Sequence, residues 1–213
     1  MTTLDAAGHP HLAPMGPVWD RSQPQRLILR PFPTANTGRN LLRHPEGVFH
    51  VTDDALLLAQ AAIGRAVPFP PVRSASQIRG VVLEDCCRYY EFVVERIETT
   101  GERLWLEARI VHQGWVRDFI GFHRARHAIV EAAILATRLH LLPWEEVAAE
   151  YRKLRVIVDK TGDEPERQAM ALLEQHLVAV RAGQLREKEA SPTGPPGAVS
   201  EGAGRTAGQE GAS

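Results

Sequence analysis

Between Arg30 and Leu42 the chain reads RPFPTANTGRNLL, with two Thr, two Asn, two Arg and a Gly in one short stretch. A segment that leaves the apolar run RLIL and then offers hydroxyl, amide and guanidinium donors can surround a phosphate. If Asn40-Leu41-Leu42 opens a helical turn, its free N–H groups add to the same site. The same residues also suit an ordinary loop whose Thr and Asn side chains cap that turn. No glycine-spaced phosphate motif is present, so on the residues alone the capping reading is preferred.

A second group is His123, His127 and Glu131, which recur at four-residue spacing in GFHRARHAIVEAA. On a helix they share a face and can reach one metal ion. They equally form a polar helix edge with His127 and Glu131 as an i,i+4 pair; that reading is preferred, and no metal site is expected. His112, Gly114, Arg117 and Phe122 read as a loop closing over something, although Phe119 and Phe122 also suit packing against the core. Asp53-Asp54 precede ALLLAQAAIG, which makes Asp53 the expected N-cap of a helix ended by Gly64. Cys86 and Cys87 fall in an apparent strand, point to opposite faces and read as small buried apolar groups. No Ser/His/Asp order, P-loop or dinucleotide fingerprint stands out.

These residues need elements to position them, and 213 residues with 44% hydrophobic content suffice for one good core or two small ones. Turn chemistry at Asp5-Ala6-Ala7-Gly8 predicts a hairpin at the first residues. Strands follow at 26–32 and 47–52, then a helix after Asp53, then the Pro-rich AVPFPPVRSASQ, expected as a loop. GVVLED, RYYEFVVERIE and RLWLEARIVHQG are the longer strands. From Ala125 the apolar period becomes helical, with further helices over 144–158 and 164–182, the last two as a hairpin packed on the sheet. The expected architecture is α+β: six to seven mostly antiparallel strands in a barrel or sandwich over 1–122, with an inserted helix, and a three-helix region over 123–183. Residues 184–213, rich in Gly, Pro and Ser, are expected to be disordered. Twenty-five basic against 26 acidic residues give a net charge of -1, no general reason to bind nucleic acid or a membrane surface. Two adjacent cysteines and no apolar span or leader pattern point to a cytoplasmic location.

The blocks TTLDAAGHPHLAPMG, ILRPFPTANTGRNLL, VTDDALLLAQAA, LEDCCRYYEF and GFHRARHAIVEAAILATRLHLLP together resemble the DUF447 family. This family is related to the FMN-binding split β-barrels of flavin reductases and pyridoxamine phosphate oxidases. The likeness runs from about Thr2 to Leu177; His123 departs from it, standing where the family pattern has Asn. The resemblance implies a split barrel, normally a homodimer, with FMN near the subunit interface. It implies a phosphate site at Arg30, Thr34, Thr37, Arg39 and Asn40. Pro14, Met15, Gly16, His50, Thr52 and Asp53 then become candidates for the flavin ring and ribityl chain, and His112, Arg117 and His123 for pocket closure or substrate. The implied activity is FMN-dependent redox work with a nicotinamide donor and a pterin- or flavin-like substrate, in one-carbon metabolism. The alternatives are a carrier or sensor of FMN without turnover, or a haem module with His50, His112 or His123 as axial ligand.

Overall fold

The computed structural model describes residues 1–19 and 22–190. Eight strands and five helices follow one another: β1 (Thr2–Leu4), β2 (Pro10–Leu12), β3 (Arg26–Leu29), α1 (Asn36–Arg43), β4 (Glu46–Val51), α2 (Ala55–Ala62), β5 (Val72–Ser74), β6 (Val81–Leu83), β7 (Arg88–Glu98), β8 (Trp105–Trp115), α3 (Arg124–Ala136), α4 (Trp144–Thr161) and α5 (Glu164–Ala190). Six strands form one sheet in the order β2-β1-β4-β7-β8-β3, every pair antiparallel. The Pro-bearing β2 lies at one edge, where a missing N–H leaves no ladder bond unmade.

The sheet curls. Leu27 and Leu29 of the β3 edge share a core with Met1, beside the opposite edge, and with Phe49, Phe92, Leu104 and Leu106. Residues from both ends of a six-stranded sheet meet in one cluster only if the sheet wraps on itself, and breaks in register at Glu91/Phe92 and Val94/Arg96 supply local bends. The result is the α+β split barrel expected from the sequence. The opposite face of β4 and β7 carries Val48 and Tyr89, covered by Val82 and Leu83 of β6.

That cover corrects one expectation. The Pro-rich stretch after α2 is not all loop: β5 lies within it and pairs with β6 as a separate two-stranded sheet. Its tip is held by Glu91, fully buried in β7, whose two carboxylate oxygens accept the N–H groups of Ser76 (2.8 Å) and Gln77 (2.7 Å). Cys86 and Cys87 are buried as expected but lie between β6 and β7, outside any strand. Burial pushes the Cys86 thiol up to about 11, so neither favourable exposure nor a low pKa marks it as reactive.

The helices have a core of their own, in which Ala125, Ile129 and Ala132 of α3 meet Val147 and Tyr151 of α4 and Met170 and Leu173 of α5. The inserted helix α2 joins it through Ala55 and Ala59 and ends, as expected, at Gly64, whose φ of +68° is a conformation that favours glycine. The described part of α5 runs to Ala190, so the expected boundary at 184 falls inside a helix; the rest of the tail, 191–213, lies outside the described residues. Among the described residues no helix is long and apolar enough to cross a membrane.

Candidate functional site

The donor-rich stretch folds as the start of α1, and the helix begins earlier than its sequence suggests. Asn36 to Arg39 form its first turn, whereas the expectation placed the turn at Asn40. The expected Thr or Asn cap is absent: Ala35 is the N-cap residue, no side chain caps the helix, and no acid stands in the first turn. The leading N–H groups of a helix have no intrahelical acceptor, and here the nearest formal charge within that turn is the exposed Arg39, which also donates to Asn36 Oδ1. Gly38 allows the arrangement. A Cβ there would overlap the Phe32 carbonyl oxygen, so the helix start packs directly on the loop that leads into it, at the cost of a residue about 1 kcal/mol poorer than Ala in helices.

Thr34 is exposed beside this helix start and Thr37 is buried within it. Two other candidates are directed elsewhere. Arg30 lays its guanidinium over the Trp105 ring, 5.7 Å from the centroid, in an open groove of about 320 Å³ at the β7–β8 turn that also contains Glu98 and Arg103. Asn40 is buried; its Nδ2 donates to Thr3 Oγ1 at 3.0 Å and its Oδ1 accepts from Arg43, tying α1 to β1.

A second constellation gathers residues far apart in sequence. Pro14, Met15, His50 and Thr52 line one small cavity together with Leu57, Leu58 and Ala61 of α2. Its volume is about 50 Å³, well below the roughly 300–1,000 Å³ of a closed ligand pocket. His50 Nε2 accepts the Leu83 N–H at 3.1 Å, whereas Nδ1 has no partner. Burial, then the positive charges of the N-terminus and Arg73, push the imidazole pKa down to about 3. Thr52 Oγ1 accepts the Asp54 N–H. Gly16 is exposed, with open space where a Cβ would stand.

Asp53 is not the helix cap. Asp54 is, accepting the Leu57 N–H at 2.9 Å. Asp53 is the centre of an ion network: Arg117 Nη1 lies 2.7 Å from Oδ1, Arg126 Nη1 3.1 Å from Oδ2, and the Ile120 N–H reaches Oδ2 at 3.3 Å. Arg117 also binds Asp85, and Arg126 binds Glu166 of α5 at 3.0 Å. Arg126 Nη1 approaches Asp53 without hydrogen-bond geometry, so that contact is Coulombic. Burial raises the Asp53 carboxyl pKa, but the Arg117 bond, the Ile120 N–H and both guanidinium charges outweigh it and hold the group below its ordinary value. Nothing local in the sequence marks Arg126 or Glu166 as members of this network, because both helices carry other charged residues that look the same.

The remaining histidines have neighbours of their own. His112 lies beside the Tyr89 ring, 5.9 Å between centroids. His123 is the N-cap of α3, its Nδ1 accepting from the Arg126 N–H, and His127 is exposed against Phe122. Among the described residues no three His, Cys, Asp or Glu side chains converge as metal ligands.

Residues 1–117 match the model for the N-terminal domain of a family described as proteins of unknown function, DUF447, and residues 123–175 match its companion, DUF447_C. The chain belongs to the DUF447 family. A DUF447 protein of Methanosarcina mazei, solved as an FMN-bound protein, superposes with a TM-score of 0.72 at 22% identity, over 82% of this chain and 91% of that one. Two others overlap only in part: an FMN-binding protein of Thermus thermophilus with bound p-hydroxybenzaldehyde (TM-score 0.47, 17% identity, 57% of this chain and 73% of that one) and the 2-nitrobenzoate 2-nitroreductase of Pseudomonas fluorescens (0.47, 16%, 54% and 61%). No curated protein matches the chain. The DUF447 likeness therefore carries the fold, and the site must be argued from its own residues.

Proposed function

We propose that this DUF447 chain binds FMN and works as an FMN-dependent oxidoreductase. The observation that carries the reading is the start of α1: a helix N-terminus with no side-chain cap, no acid in its first turn, Arg39 within it and Gly38 pressed on the Phe32 carbonyl. Such an end is completed by an anion, and a phosphate satisfies amides, hydroxyls and guanidinium together. Thr34, the Thr37 amide and Arg39 hold the phosphate. Arg30, Asn40 and Asp53 are engaged within the protein and stand outside the set. The apolar cavity by His50 and Thr52 takes one edge of the flavin ring and keeps water from it; the FMN-bound relative in the same family supports the choice of ligand.

When bound, FMN supplies hydride or electron transfer. The chain orients it and excludes solvent. A cavity of about 50 Å³ leaves most of a flavin uncovered, which supports a homodimer in which a second copy completes the pocket. Phe119, Ile120 and Phe122, exposed on the segment between β8 and α3, supply apolar surface for that contact. A nicotinamide donor and a pterin- or flavin-like acceptor complete the proposal, on the family resemblance.

Purified protein is expected to be yellow or to turn yellow with FMN, and to release FMN on denaturation; a colourless protein without FMN affinity ends the reading. Arg39→Ala combined with Thr34→Ala is expected to weaken FMN at least tenfold, in keeping with ~1.5–3 kcal/mol per charge-assisted bond, and riboflavin hardly at all. Equal losses for both ligands remove the phosphate assignment. Anaerobic mixing with NADH or NADPH separates enzyme from carrier: bleaching of the flavin identifies a reductase, and its absence a module that holds FMN without turnover.

A further inference from the structure

His50 is 7% exposed and lies in β4 opposite Tyr89, with the β5–β6 hairpin over it. Its ring is fixed by one bond, the Leu83 N–H donated to Nε2. A ring nitrogen accepts only when it carries no proton, so Nε2 contributes its lone pair and the proton of the neutral ring must sit on Nδ1. Nδ1–H is then a buried donor with no acceptor in the protein. A donor left in that state carries its full desolvation cost, and sites where a protein retains such a group are sites completed by something else.

The surroundings say what that is. His50 lines the small cavity, whose other lining side chains are apolar except for Thr52; the Thr52 oxygen already accepts the Asp54 N–H, and the amino group of Met1, also in the lining, donates to the Ala13 carbonyl. The occupant must therefore be largely apolar at its faces and present an acceptor at its edge. Those are the properties of an aromatic heterocycle carrying carbonyl or imine acceptors.

We infer that His50 is a positioning residue for the flavin ring, its Nδ1–H donating to a carbonyl or imine acceptor on the edge of the heterocycle seated at this cavity. The inference rests on the FMN reading and adds to it a fixed donor that orients the ring, separate from the phosphate end. His50 neither gives nor takes a proton during turnover. Its role is direction, and it is specific: an occupant with an N–H at that edge meets a donor with a donor.

The test uses the full-length protein and three variants. An Asn amide nitrogen falls near the Nδ1 position of His, and a Gln amide near the Nε2 position. His50→Asn therefore keeps a donor toward the cavity and loses the Leu83 bond; His50→Gln keeps an acceptor for Leu83 and loses the cavity donor; His50→Leu loses both. FMN and riboflavin affinities are read by flavin fluorescence quenching. His50→Asn is expected within about threefold of the wild type, and His50→Gln and His50→Leu weaker by about tenfold or more, equally for FMN and riboflavin because the ring is common to both. Flavin binding by the wild type with His50→Gln unimpaired overturns this inference alone, since a buried water then satisfies Nδ1. His50→Asn as weak as His50→Leu also overturns it, assigning His50 to the hairpin. A wild type that binds no flavin overturns the FMN reading and this one with it. Independently of variant folding, nitrogen NMR of the flavin-free protein is expected to show the Nδ1–H tautomer; the Nε2–H tautomer contradicts the donor.

Discussion

The barrel and the helical region are packed on different principles. The barrel core is filled by bulk, with Leu27, Leu29, Phe49, Phe92, Leu104 and Leu106 interdigitating across a curled sheet. The helical core is filled by proximity: Ala55, Ala59, Ala125, Ala128, Ala132, Ala133, Ala136 and Ala169 let helix backbones approach one another. Two media join these regions. One is α2, which sends Ala55 and Ala59 into the helices while Leu57 packs against the barrel's outer cluster and lines the cavity. The other is charge, where Arg126 on α3 stands between Asp53, just after β4, and Glu166 on α5. The comparison teaches where sensitivity should lie: the candidate site belongs to the barrel, and the helical region bears on it through one helix and one guanidinium.

Removing the guanidinium should have the largest effect. Arg126→Met leaves two carboxylates, each 4% exposed at the side chain, facing a gap; loss of one partner of a buried pair costs roughly 3–5 kcal/mol. Denaturant unfolding should show that loss, and two transitions in place of one would show that the regions have become separable. Because Asp53 and Glu166 are both held below their ordinary values, the stability they confer is complete above those ordinary values and disappears as pH falls through the lowered ones. The variant should lose the part of this acid-induced loss that Arg126 supplies, chiefly at Glu166, because Asp53 keeps Arg117 and the Ile120 N–H.

Gly38→Ala tests the barrel side. Helix propensity alone would stabilise α1, but the overlap with the Phe32 carbonyl should dominate, costing about 1–3 kcal/mol as an overpacked site, with FMN affinity lost along with it. A more stable variant would show that the α1 start does not need its close seat.

His50 gives the barrel a pH dependence of the same sign as that of His176 on α5, which burial also holds below its ordinary value. Its pKa is about 3 folded against an ordinary 6.5, so between these values the unfolded chain binds the extra proton. Stability is therefore complete above pH 6.5 and declines as pH falls toward 3. Between pH 7.5 and 5 the decline should be about 2 kcal/mol, from 1.36 kcal/mol per pH unit, and His50→Leu should flatten it. The smallest effect belongs to the helices. Tyr151→Phe deletes the bond from its hydroxyl to the Ala132 carbonyl, costing about 1 kcal/mol without changing flavin affinity; a change there would mean that the helical core reaches the site by a route beyond α2 and Arg126.

Much of the architecture was legible because it is periodic or punctuated: the alternation in β8, the helical stripe from Ala125, the turn at Asp5–Gly8 and the stop at Gly64. What was missed depends on partners distant in sequence. Asp53 and Asp54 look alike as caps, and only the positions of Arg117 and Arg126 in space send the first into a network and leave the second on α2. β5 is three residues in a Pro-rich stretch and acquires its identity from β6. Of the candidate site, the α1 start is visible as a surplus of donors, whereas the gathering of Pro14, Met15, His50 and Thr52 at one cavity depends on the fold. Asn40 looks like another donor but is turned into β1, which no spacing rule reveals.

The grip of Glu91 on the β5–β6 tip also governs which substitutions this chain can absorb there. Its carboxylate holds the main-chain N–H groups of Ser76 and Gln77, both of whose side chains are exposed. Any residue with an amide hydrogen can stand at those two positions and be held equally well, whereas Pro at either removes a donor. The tip is thus a place where mutational drift is nearly neutral while the backbone path stays constant. A library randomised at 76 and 77 should return almost every residue except proline, and one randomised at 91 should return very few.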